Sequence, residues 1–373
     1  MSGGESITIG LMSGTSTDGV DGVLVRWAGD GRFQILAHVQ QGFEPTLRAE
    51  LLALNIPGEN ELHRAALSAN ALAEAYAQTV RELLSRSGVA ASAVRAVGAH
   101  GQTVRHRPGA FDGTGYTLQL NAPALLAERC GIDVIADFRN RDLAAGGQAA
   151  PLVPVAHRAL LARPGQDIAV LNLGGIANLS LLHADGRLSG FDTGPANVLM
   201  DLWIERTHGL PYDADGAWAA QGQIQPALLA DALREPYFAA PAPKSTGRDL
   251  FHAAWLDRLL ARHPGVIAAD VQRTLCELTV QSITQALTAS MPAATELLVC
   301  GGGALNLTLM QRLAAVLPDL AVRSTAERGL PPLQVEAVAF AWLAGAHIAR
   351  VPGNEPAVTG ARGARVLGAL YPA

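Results

Sequence analysis

Two glycine-rich turns, each following a short apolar segment, are the first candidates for chemistry in this sequence. Residues 10–19 read GLMSGTSTDG, and residues 171–178 read LNLGGIAN. Turns of this kind expose backbone N–H groups, and in the first case hydroxyls, to an anion such as phosphate. A carboxylate beside the turn, as Asp18 is, can hold Mg²⁺ through waters. Each turn alone is also compatible with an ordinary polar hairpin, and the chain has no Walker A motif.

A third glycine-rich segment, CGGGALN at residues 300–306, lies between a predicted strand and a predicted helix. Three consecutive glycines allow a flat ligand to approach the backbone closely. The segment therefore predicts an adenine-binding slot, and the alternative is a tight strand-to-helix connection.

Asp192 is the candidate acid or base. It lies in GFDTGPAN, residues 190–197, between a predicted strand and a predicted helix. A carboxylate there can take a proton from an attacking oxygen. It can equally cap the helix, which is the commoner role of an aspartate in this position.

Two basic clusters complete the set of candidates. Residues 99–108 read AHGQTVRHRP, and residues 136–142 read ADFRNRD. The first cluster predicts recognition of a sugar or an acidic group. In the second, Arg139 and Arg141 can bind a carboxylate bidentately or form ion pairs with Asp137 and Asp142.

The elements that must position these residues occur twice in a similar order. Strands are predicted at 7–12, 22–27 and 33–39, and again at 168–173, 179–183 and 188–191. Helices follow, at 61–87 in the first half and at 197–208 in the second. This duplication predicts two α/β domains with a cleft between them. The Gly- and Pro-rich stretch 144–154 is the predicted crossover.

Composition limits the classes of protein. The 373 residues include 28 Lys and Arg and 33 Asp and Glu, a formal net charge of −5. Such a chain is a poor DNA binder, because phosphate neutralisation needs clustered basic residues. We expect no membrane association, because the longest apolar stretch, 337–349, is shorter than the roughly 20 residues of a spanning helix. Without a recognisable secretory signal, the chain is expected to be cytoplasmic. Only one lysine, Lys244, occurs.

Seven segments in order give the sequence a resemblance to the anhydro-N-acetylmuramic acid kinases, from about residue 7 to about residue 350. They are GLMSGTSTDGVD, HGQTVRHRP, ADFRNRDLAAGGQAAPLVP, LNLGGIANLS, GFDTGPANVLMD, KSTGRDLF and CGGGALN. Lys244 opens the sixth segment, and the resemblance gives it no role. Two positions depart from the family's pattern, since Ala149 and Ala196 stand where glycine is usual. If the backbone there needs a positive φ, each alanine adds strain.

The resemblance implies an α/β fold with two ribonuclease-H-like domains, the actin-like ATPase fold, around a central nucleotide cleft. We expect residues 1–137 and 350–373 to form the first domain and residues 138–349 the second. Asp192 is implied as the catalytic base and Asp18 as the metal ligand. Substrate-binding roles are implied for His100, Arg105, Arg139, Asn197 and Glu336. Nucleotide-binding roles are implied for Gly14, Thr15, Ser16, Thr17, Asp18, Gly19, Asn172, Gly174, Gly175, Gly301, Gly302, Gly303 and Asn306.

The implied reaction consumes ATP, with Mg²⁺, and opens 1,6-anhydro-N-acetylmuramic acid while phosphorylating its 6-oxygen. The implied role is in recycling of the bacterial cell wall, and the implied assembly is a homodimer. An ordinary hexosamine kinase is one alternative, in which Asp192 deprotonates a sugar hydroxyl. An ATP-gated binding module without an amino-sugar substrate is another.

Overall fold

The computed structural model describes residues 4–14, 16–29, 31–242, 244–247 and 249–373. The chain divides into two compact units. The first contains the chain up to Leu160 together with Gln334–Ala373, and the second is Leu161–Leu333.

The strands, in chain order, are β1 (Ser6–Ser13), β2 (Gly19–Trp27), β3 (Phe33–Gly42), β4 (Ala96–Pro108), β5 (Gly115–Leu120), β6 (Val134–Ala136), β7 (Ile168–Leu173), β8 (Ile176–Leu182), β9 (Leu188–Pro195), β10 (Glu296–Cys300), β11 (Ala321–Ser324) and β12 (Ala369–Tyr371). The α-helices are α1 (Pro45–Ala53), α2 (Glu61–Ser87), α3 (Pro123–Cys130), α4 (Asn140–Ala144), α5 (Val153–Leu161), α6 (Val198–His208), α7 (Pro226–Ala232), α8 (Pro236–Ala239), α9 (Ala253–Ala261), α10 (Ala268–Ser290), α11 (Leu307–Val316), α12 (Val335–Ile348) and α13 (Pro356–Thr359).

Each unit is built on a sheet of the same design. In the first unit the strand order is β12-β6-β4-β1-β2-β3, with β5 paired to β4. In the second it is β11-β10-β7-β8-β9. The first three strands of each unit form an antiparallel meander, and the first strand of the meander pairs in parallel with β4 in the first unit and with β10 in the second. This is the ribonuclease-H-like order, so the predicted α/β fold class and its duplication are confirmed.

Helix α12 lies against the sheet of the first unit at unusually close range. A Cβ added to Gly10 of β1 would meet the Ala337 carbonyl oxygen at 1.9 Å, and one added to Gly98 of β4 would meet the Phe340 carbonyl oxygen at 2.2 Å. The Thr8 hydroxyl also donates to the Ala341 carbonyl at 2.8 Å. Because only glycine permits this approach, the two strands fix the depth and register of the helix that begins beside Glu336.

This packing accounts for domain limits that differ from the predicted ones. The predicted limits assign 138–160 and 334–349 to the second domain, whereas both segments belong to the first unit. Helix α12 follows the whole second unit in sequence but contacts β1, β2 and β4. The predicted crossover at 144–154 likewise precedes the observed boundary. Long-range packing of this kind leaves no local signal in the chain.

Most predicted elements are present within a few residues of their expected limits, and helix 61–87 has the predicted bounds. The segment 100–108 was predicted to follow a strand, but it forms most of β4. Its polar side chains are compatible with a strand because β5 pairs with it. Among the described residues, no helix has the length and apolar character needed to cross a bilayer.

Candidate functional site

The first glycine turn connects β1 to β2 and is held by a buried glutamine. Gln102 Nε2 donates to the Gly14 carbonyl at 3.0 Å, and its Oε1 accepts from the Ser13 hydroxyl. Thr17 is buried with φ +56°, and its N–H donates to the Gly14 carbonyl at 3.1 Å. Thr15 lies outside the described residues. The Gly14 and Thr17 carbonyls both accept hydrogen bonds within the protein, and a turn of this kind can direct N–H groups at an anion.

Asp18 and Ser16 lie on the exposed side of this turn. Asp18 Oδ1 accepts from Arg48 Nη2 at 3.2 Å, and Arg48 Nε donates to the Thr17 carbonyl at 3.1 Å. Arg48, on α1, therefore brings a positive charge to the turn, which the sequence analysis missed. Gly19 is glycine for a different reason, because a Cβ there would meet the Gln41 carbonyl oxygen of β3 at 2.1 Å.

A second group of predicted residues gathers around His100 in the first unit. Arg139 Nε donates to His100 Nε2 at 3.0 Å, and His100 Nδ1 contacts the Gly101 carbonyl at 2.7 Å. This pattern requires a neutral imidazole with its proton on Nδ1. Burial, and then the Arg139 charge, hold the pKa of His100 well below its usual value. The same burial lowers the pKa of Arg139 to about 10.

Glu336 joins this group from the first turn of α12. The ring of Phe340, one turn further along the helix, lies 4.7 Å from the His100 ring and 5.4 Å from that of Phe138. Residues four apart share a helix face, so Glu336 faces the same side. Solvent reaches Glu336, yet the protein around it is dense enough for desolvation to raise its pKa. Arg139 opposes that shift and Asp21 adds to it. A cation, a neutral imidazole and a carboxyl group therefore converge, as a polar ligand with an acidic substituent would require.

Arg105, predicted to bind substrate, forms an ion pair with Glu61 at the start of α2. Its guanidinium is therefore already neutralised within the unit, whereas that of Arg139 donates to an uncharged imidazole and to the Ala149 carbonyl at 2.6 Å. Between the two arginines, this geometry favours Arg139 as the ligand of a substrate carboxylate.

The two predicted departures from glycine have different outcomes. Ala149 has φ +57°, so the expected strain is present there and costs roughly 1–2 kcal/mol. Ala196 is buried without a positive φ, so the condition for strain is not met at this position. Its N–H donates to the Gly175 carbonyl at 2.9 Å, in a conformation that alanine adopts freely.

In the second unit, Asn197 holds the second glycine turn. Its Nδ2 donates to the carbonyls of Leu173 at 3.0 Å and Gly174 at 2.8 Å. Predicted to bind substrate, Asn197 thus positions the loop between β7 and β8. A Cβ at Gly174 or Gly175 would have no neighbour closer than 3.7 Å. The protein itself leaves this space open, which a phosphate ligand would use.

The third turn packs on the second through Gly301 and Gly303. A Cβ on Gly301, where φ is +80°, would lie 2.5 Å from Asn172 Oδ1, and a Cβ on Gly303 would lie 2.6 Å from Leu173 Cβ. Asn306 Oδ1 accepts from the Leu309 N–H at 2.9 Å and caps α11. Of the three glycines, only Gly302 has no atom within 4 Å of an added Cβ. The protein's own packing thus explains two of the glycines, whereas the space beside Gly302 is open.

Alanine at these neighbouring glycines is expected to separate folding from nucleotide binding. Gly301→Ala should lower the free energy of unfolding by about 2–3 kcal/mol, through the overlap with Asn172 and the positive φ. Gly302→Ala should unfold like the wild type but bind ATP at least about tenfold more weakly, because the methyl group fills ligand space. Thermal unfolding and titration with an ATP analogue measure both quantities. A destabilised Gly302→Ala with normal nucleotide binding would contradict the assignment.

Asp192 lies within β9, beside a bulge in its pairing with β8. The strand continues to Pro195, and Asn197 directly precedes α6, so the alternative in which Asp192 caps the helix is wrong. Asp192 Oδ2 accepts from the Thr246 N–H at 3.1 Å. Desolvation raises the pKa of the half-buried carboxyl group, and the Thr246 N–H partly offsets that rise. An ionised carboxylate made more basic by desolvation can act as a general base.

Known proteins are similar to this chain over nearly its whole length. Residues 6–373 match the family model described as anhydro-N-acetylmuramic acid kinase. The anhydro-N-acetylmuramic acid kinase of Variovorax paradoxus (strain S110) is 58% identical over 370 residues, covering 98% of both chains. That of Bordetella petrii (strain ATCC BAA-461 / DSM 12804 / CCUG 43448) is 58% identical over 368 residues, covering 98% of this chain and 96% of its own.

Among solved structures, the activator of the 2-hydroxyisocaproyl-CoA dehydratase from Clostridium difficile with bound ADPNP is similar at a TM-score of 0.45 and 12% identity. That match covers 90% of this chain and 92% of the activator, and its similarity is too low to carry a functional conclusion. The match of the family model over nearly the whole sequence, with relatives above half identity, shows that the chain belongs to the anhydro-N-acetylmuramic acid kinase family.

Proposed function

We propose a mechanism for the ATP-dependent phosphorylation of 1,6-anhydro-N-acetylmuramic acid, the activity in peptidoglycan recycling that family membership assigns to this protein. The internal ether of the substrate joins the anomeric carbon to the 6-oxygen. An ether oxygen has no proton to lose and is a poor nucleophile until that bond breaks. The ring must therefore open as phosphate is transferred.

Asp192 takes one proton from a water molecule, whose oxygen attacks the anomeric carbon. The bond from that carbon to the 6-oxygen breaks, and its electron pair stays on the 6-oxygen. This oxygen forms a bond to the γ-phosphorus of ATP, and ADP leaves with the electrons of the broken phosphoanhydride bond. The protein positions the groups and stabilises charge, as is general for phosphoryl transfer.

The other predicted residues divide into nucleotide and sugar sites. We propose a phosphate-binding role for the first glycine turn and, independently, for Gly174 and Gly175 of the second, and an adenosine-binding role for the surface beside Gly302. His100, Arg139 and Glu336 bind the sugar, with Arg139 on its lactyl carboxylate.

Asp18 is suited to bind Mg²⁺ only if its ion pair with Arg48 is broken. The Asp18 side chain is 69% exposed and therefore accessible, but it must release Arg48, 3.2 Å away, to serve as a ligand. Groups of three or more His, Cys, Asp or Glu suited to a metal are absent from the described residues. An ion held mainly by nucleotide phosphates, with one carboxylate, agrees with that donor set. When bound, Mg²⁺ would neutralise charge on the phosphates.

The half-buried carboxylate of Asp192, which lies in β9 opposite Asn178 and accepts from the Thr246 N–H at 3.1 Å, is the observation that carries this mechanism. Reaction in ¹⁸O-labelled water tests it. The label is expected at the anomeric position of N-acetylmuramic acid 6-phosphate and not in its phosphate group. Label in the phosphate would overturn the coupled mechanism.

The rival activity, phosphorylation of a free hydroxyl, predicts faster turnover on open-ring N-acetylmuramic acid than on the anhydro sugar. Release of ADP with each sugar distinguishes the two activities. Slow ADP release that neither sugar changes would favour the ATP-gated binding module. We also propose a homodimer and a cytoplasmic location, which light scattering and cell fractionation test.

A further inference from the structure

Lys244, the only lysine in the 373 residues, makes a specific set of contacts in the second unit. Its Nζ donates to the carbonyls of Tyr237 and Phe238, each at 3.0 Å, and lies 4.7 Å from the centre of the Tyr237 ring. Both carbonyls belong to the short helix α8. A cation beside helix carbonyls and over an aromatic face is favourable on both counts.

Lys244 joins α8 to the segment 244–247, and together these two segments form hydrogen bonds with three atoms of Asp192. The Tyr237 hydroxyl donates to the Asp192 carbonyl at 2.7 Å. The Asp192 N–H donates to the Lys244 carbonyl at 3.0 Å, and the Thr246 N–H donates to Asp192 Oδ2 at 3.1 Å. The first two bonds fix the backbone of Asp192, and the third orients its carboxylate.

We infer that Lys244 is a positioning residue for the catalytic base, through contacts that hold Tyr237 and Thr246 on Asp192. We call these three residues the Lys244 clamp. The inference rests on the proposed function, which makes Asp192 the base. Lys244 itself touches neither the Asp192 carboxylate nor any reacting atom in this scheme. Desolvation lowers the pKa of Lys244, consistent with an ammonium group bound to protein carbonyls rather than to bulk water.

The groups around Asp192 determine how strongly loss of the clamp changes the pKa of the Asp192 carboxyl group. The Tyr237 hydroxyl, from α8, donates to the Asp192 carbonyl, and the Thr246 N–H, from segment 244–247, donates to the Asp192 carboxylate. Opposite Asp192 on β8 is Asn178, which is uncharged, and α10 approaches the end of β9 with Thr279, whose hydroxyl donates to the Pro195 carbonyl at 3.0 Å. The Thr246 N–H stabilises the ionised carboxylate. Loss of the clamp should therefore raise the pKa of Asp192.

Lys244→Met is the primary test, with Arg258→Met as the matched control that removes an exposed cation from α9 of the same unit. In Lys244→Met, the acid limb of kcat/KM is expected to move up by about one pH unit, since one hydrogen bond to the ionised form is lost. We expect kcat to fall about tenfold with little change in either KM, as for a misplaced base. Lys244→Arg keeps the charge and should retain the wild-type acid limb.

Direct titration of Asp192 keeps this test independent of activity. In protein labelled with [¹³C]aspartate, the Asp192 carboxyl signal is identified by its loss in Asp192→Asn. Its pKa should rise in Lys244→Met and stay at the wild-type value in Arg258→Met. An unchanged Asp192 pKa in Lys244→Met, with only lower thermal stability, would show a purely structural lysine and overturn the inference.

Chemical acetylation replaces the methionine variant if that variant fails to fold. An amine-specific reagent can modify only Lys244 and the terminal amine of the chain, and Lys244→Arg treated in the same way controls for the terminus. Acetylation should raise the Asp192 pKa in the wild type alone, and equal behaviour of the two proteins would refute the clamp. If Asp192→Asn keeps normal turnover, the proposed base is wrong, whereas the carboxyl titration still decides whether Lys244 positions Asp192.

Discussion

Replacing Asp192 by asparagine is expected to lower kcat by about 10²–10⁴-fold, the scale of a lost general base. The amide cannot accept the proton of the attacking water, but it has the same shape and can still accept the Thr246 N–H. Binding of sugar and nucleotide should therefore remain near that of the wild type. Single-turnover kinetics and calorimetric titration measure the two effects.

Asp185→Asn is the matched control for this substitution. Asp185 is an exposed carboxylate in the turn between β8 and β9, where it pairs with Arg187 at 2.7 Å. We expect wild-type turnover in this variant. Near-normal turnover of Asp192→Asn would show that another group, or no group, takes the proton.

The pH dependence of the wild-type enzyme also tests the assignment of Asp192 as the general base. Desolvation raises the pKa of Asp192 above its ordinary value, and a base works only when ionised. Activity should therefore be lost as the pH falls through this raised pKa, and the acid limb of kcat/KM should lie above that of an ordinary aspartate. An acid limb at or below the usual aspartate range would contradict the proposed role.

The largest expected loss of stability follows from Asp142→Ala. The Asp142 side chain is fully buried and accepts from the Ala149 N–H at 2.8 Å, Asn354 Nδ2 at 2.6 Å and the Thr359 hydroxyl at 2.7 Å. Removing the carboxyl group leaves the Ala149 N–H without this acceptor, and leaves Asn354 Nδ2 and the Thr359 hydroxyl with only the longer contacts to the Gly363 carbonyl at 3.3 Å and the Glu355 carbonyl at 3.4 Å. We expect the free energy of unfolding to fall by about 3–5 kcal/mol, since each orphaned donor costs about 1–3 kcal/mol and neighbouring effects are not additive.

Denaturant unfolding measures this loss, and two variants calibrate it. Asp142→Asn keeps an acceptor oxygen and should lose less stability, whereas Asp185→Ala removes an exposed carboxylate and should change stability by no more than about 0.5 kcal/mol. Asp142→Ala should also weaken sugar binding. The Asp142 side chain holds Ala149 through its N–H, and the Ala149 carbonyl accepts from Arg139 at 2.6 Å, so loss of Asp142 should displace Arg139. A loss no larger than that of Asp185→Ala would show that the loop is held by other contacts.

Local patterns in the sequence were enough to predict the duplicated meander and the helix periodicity. In α2, the residues Leu72, Tyr76 and Val80 recur at four-residue steps, and all three are buried. Such patterns report which face of an element is covered, because burial favours apolar side chains wherever the element packs. The three glycine turns and Asp192 were also recognisable, since runs of glycine and a carboxylate next to apolar segments are local features of the sequence.

Some residues that complete the site gave no comparable signal. Arg48 and Tyr237 belong to elements that the sequence analysis did not predict, α1 and α8, and they reach Thr17 and Asp192 only through tertiary contacts. Tyr237 lies 45 positions from Asp192 in the chain. No spacing rule connects residues at such distances.

The sequence by itself determined the family, the two sheets and the identity of the candidate base, because these depend on residue type and local order. Only the tertiary structure decided why each glycine is glycine. Gly10 and Gly301 are required by backbone that approaches from elsewhere in the chain, whereas Gly302 leaves space open. It also decided that Lys244 contacts carbonyls of α8 rather than the Asp192 carboxylate. Hydrogen bonds and steric contacts act over a few ångströms in space, whatever the separation of their partners in sequence.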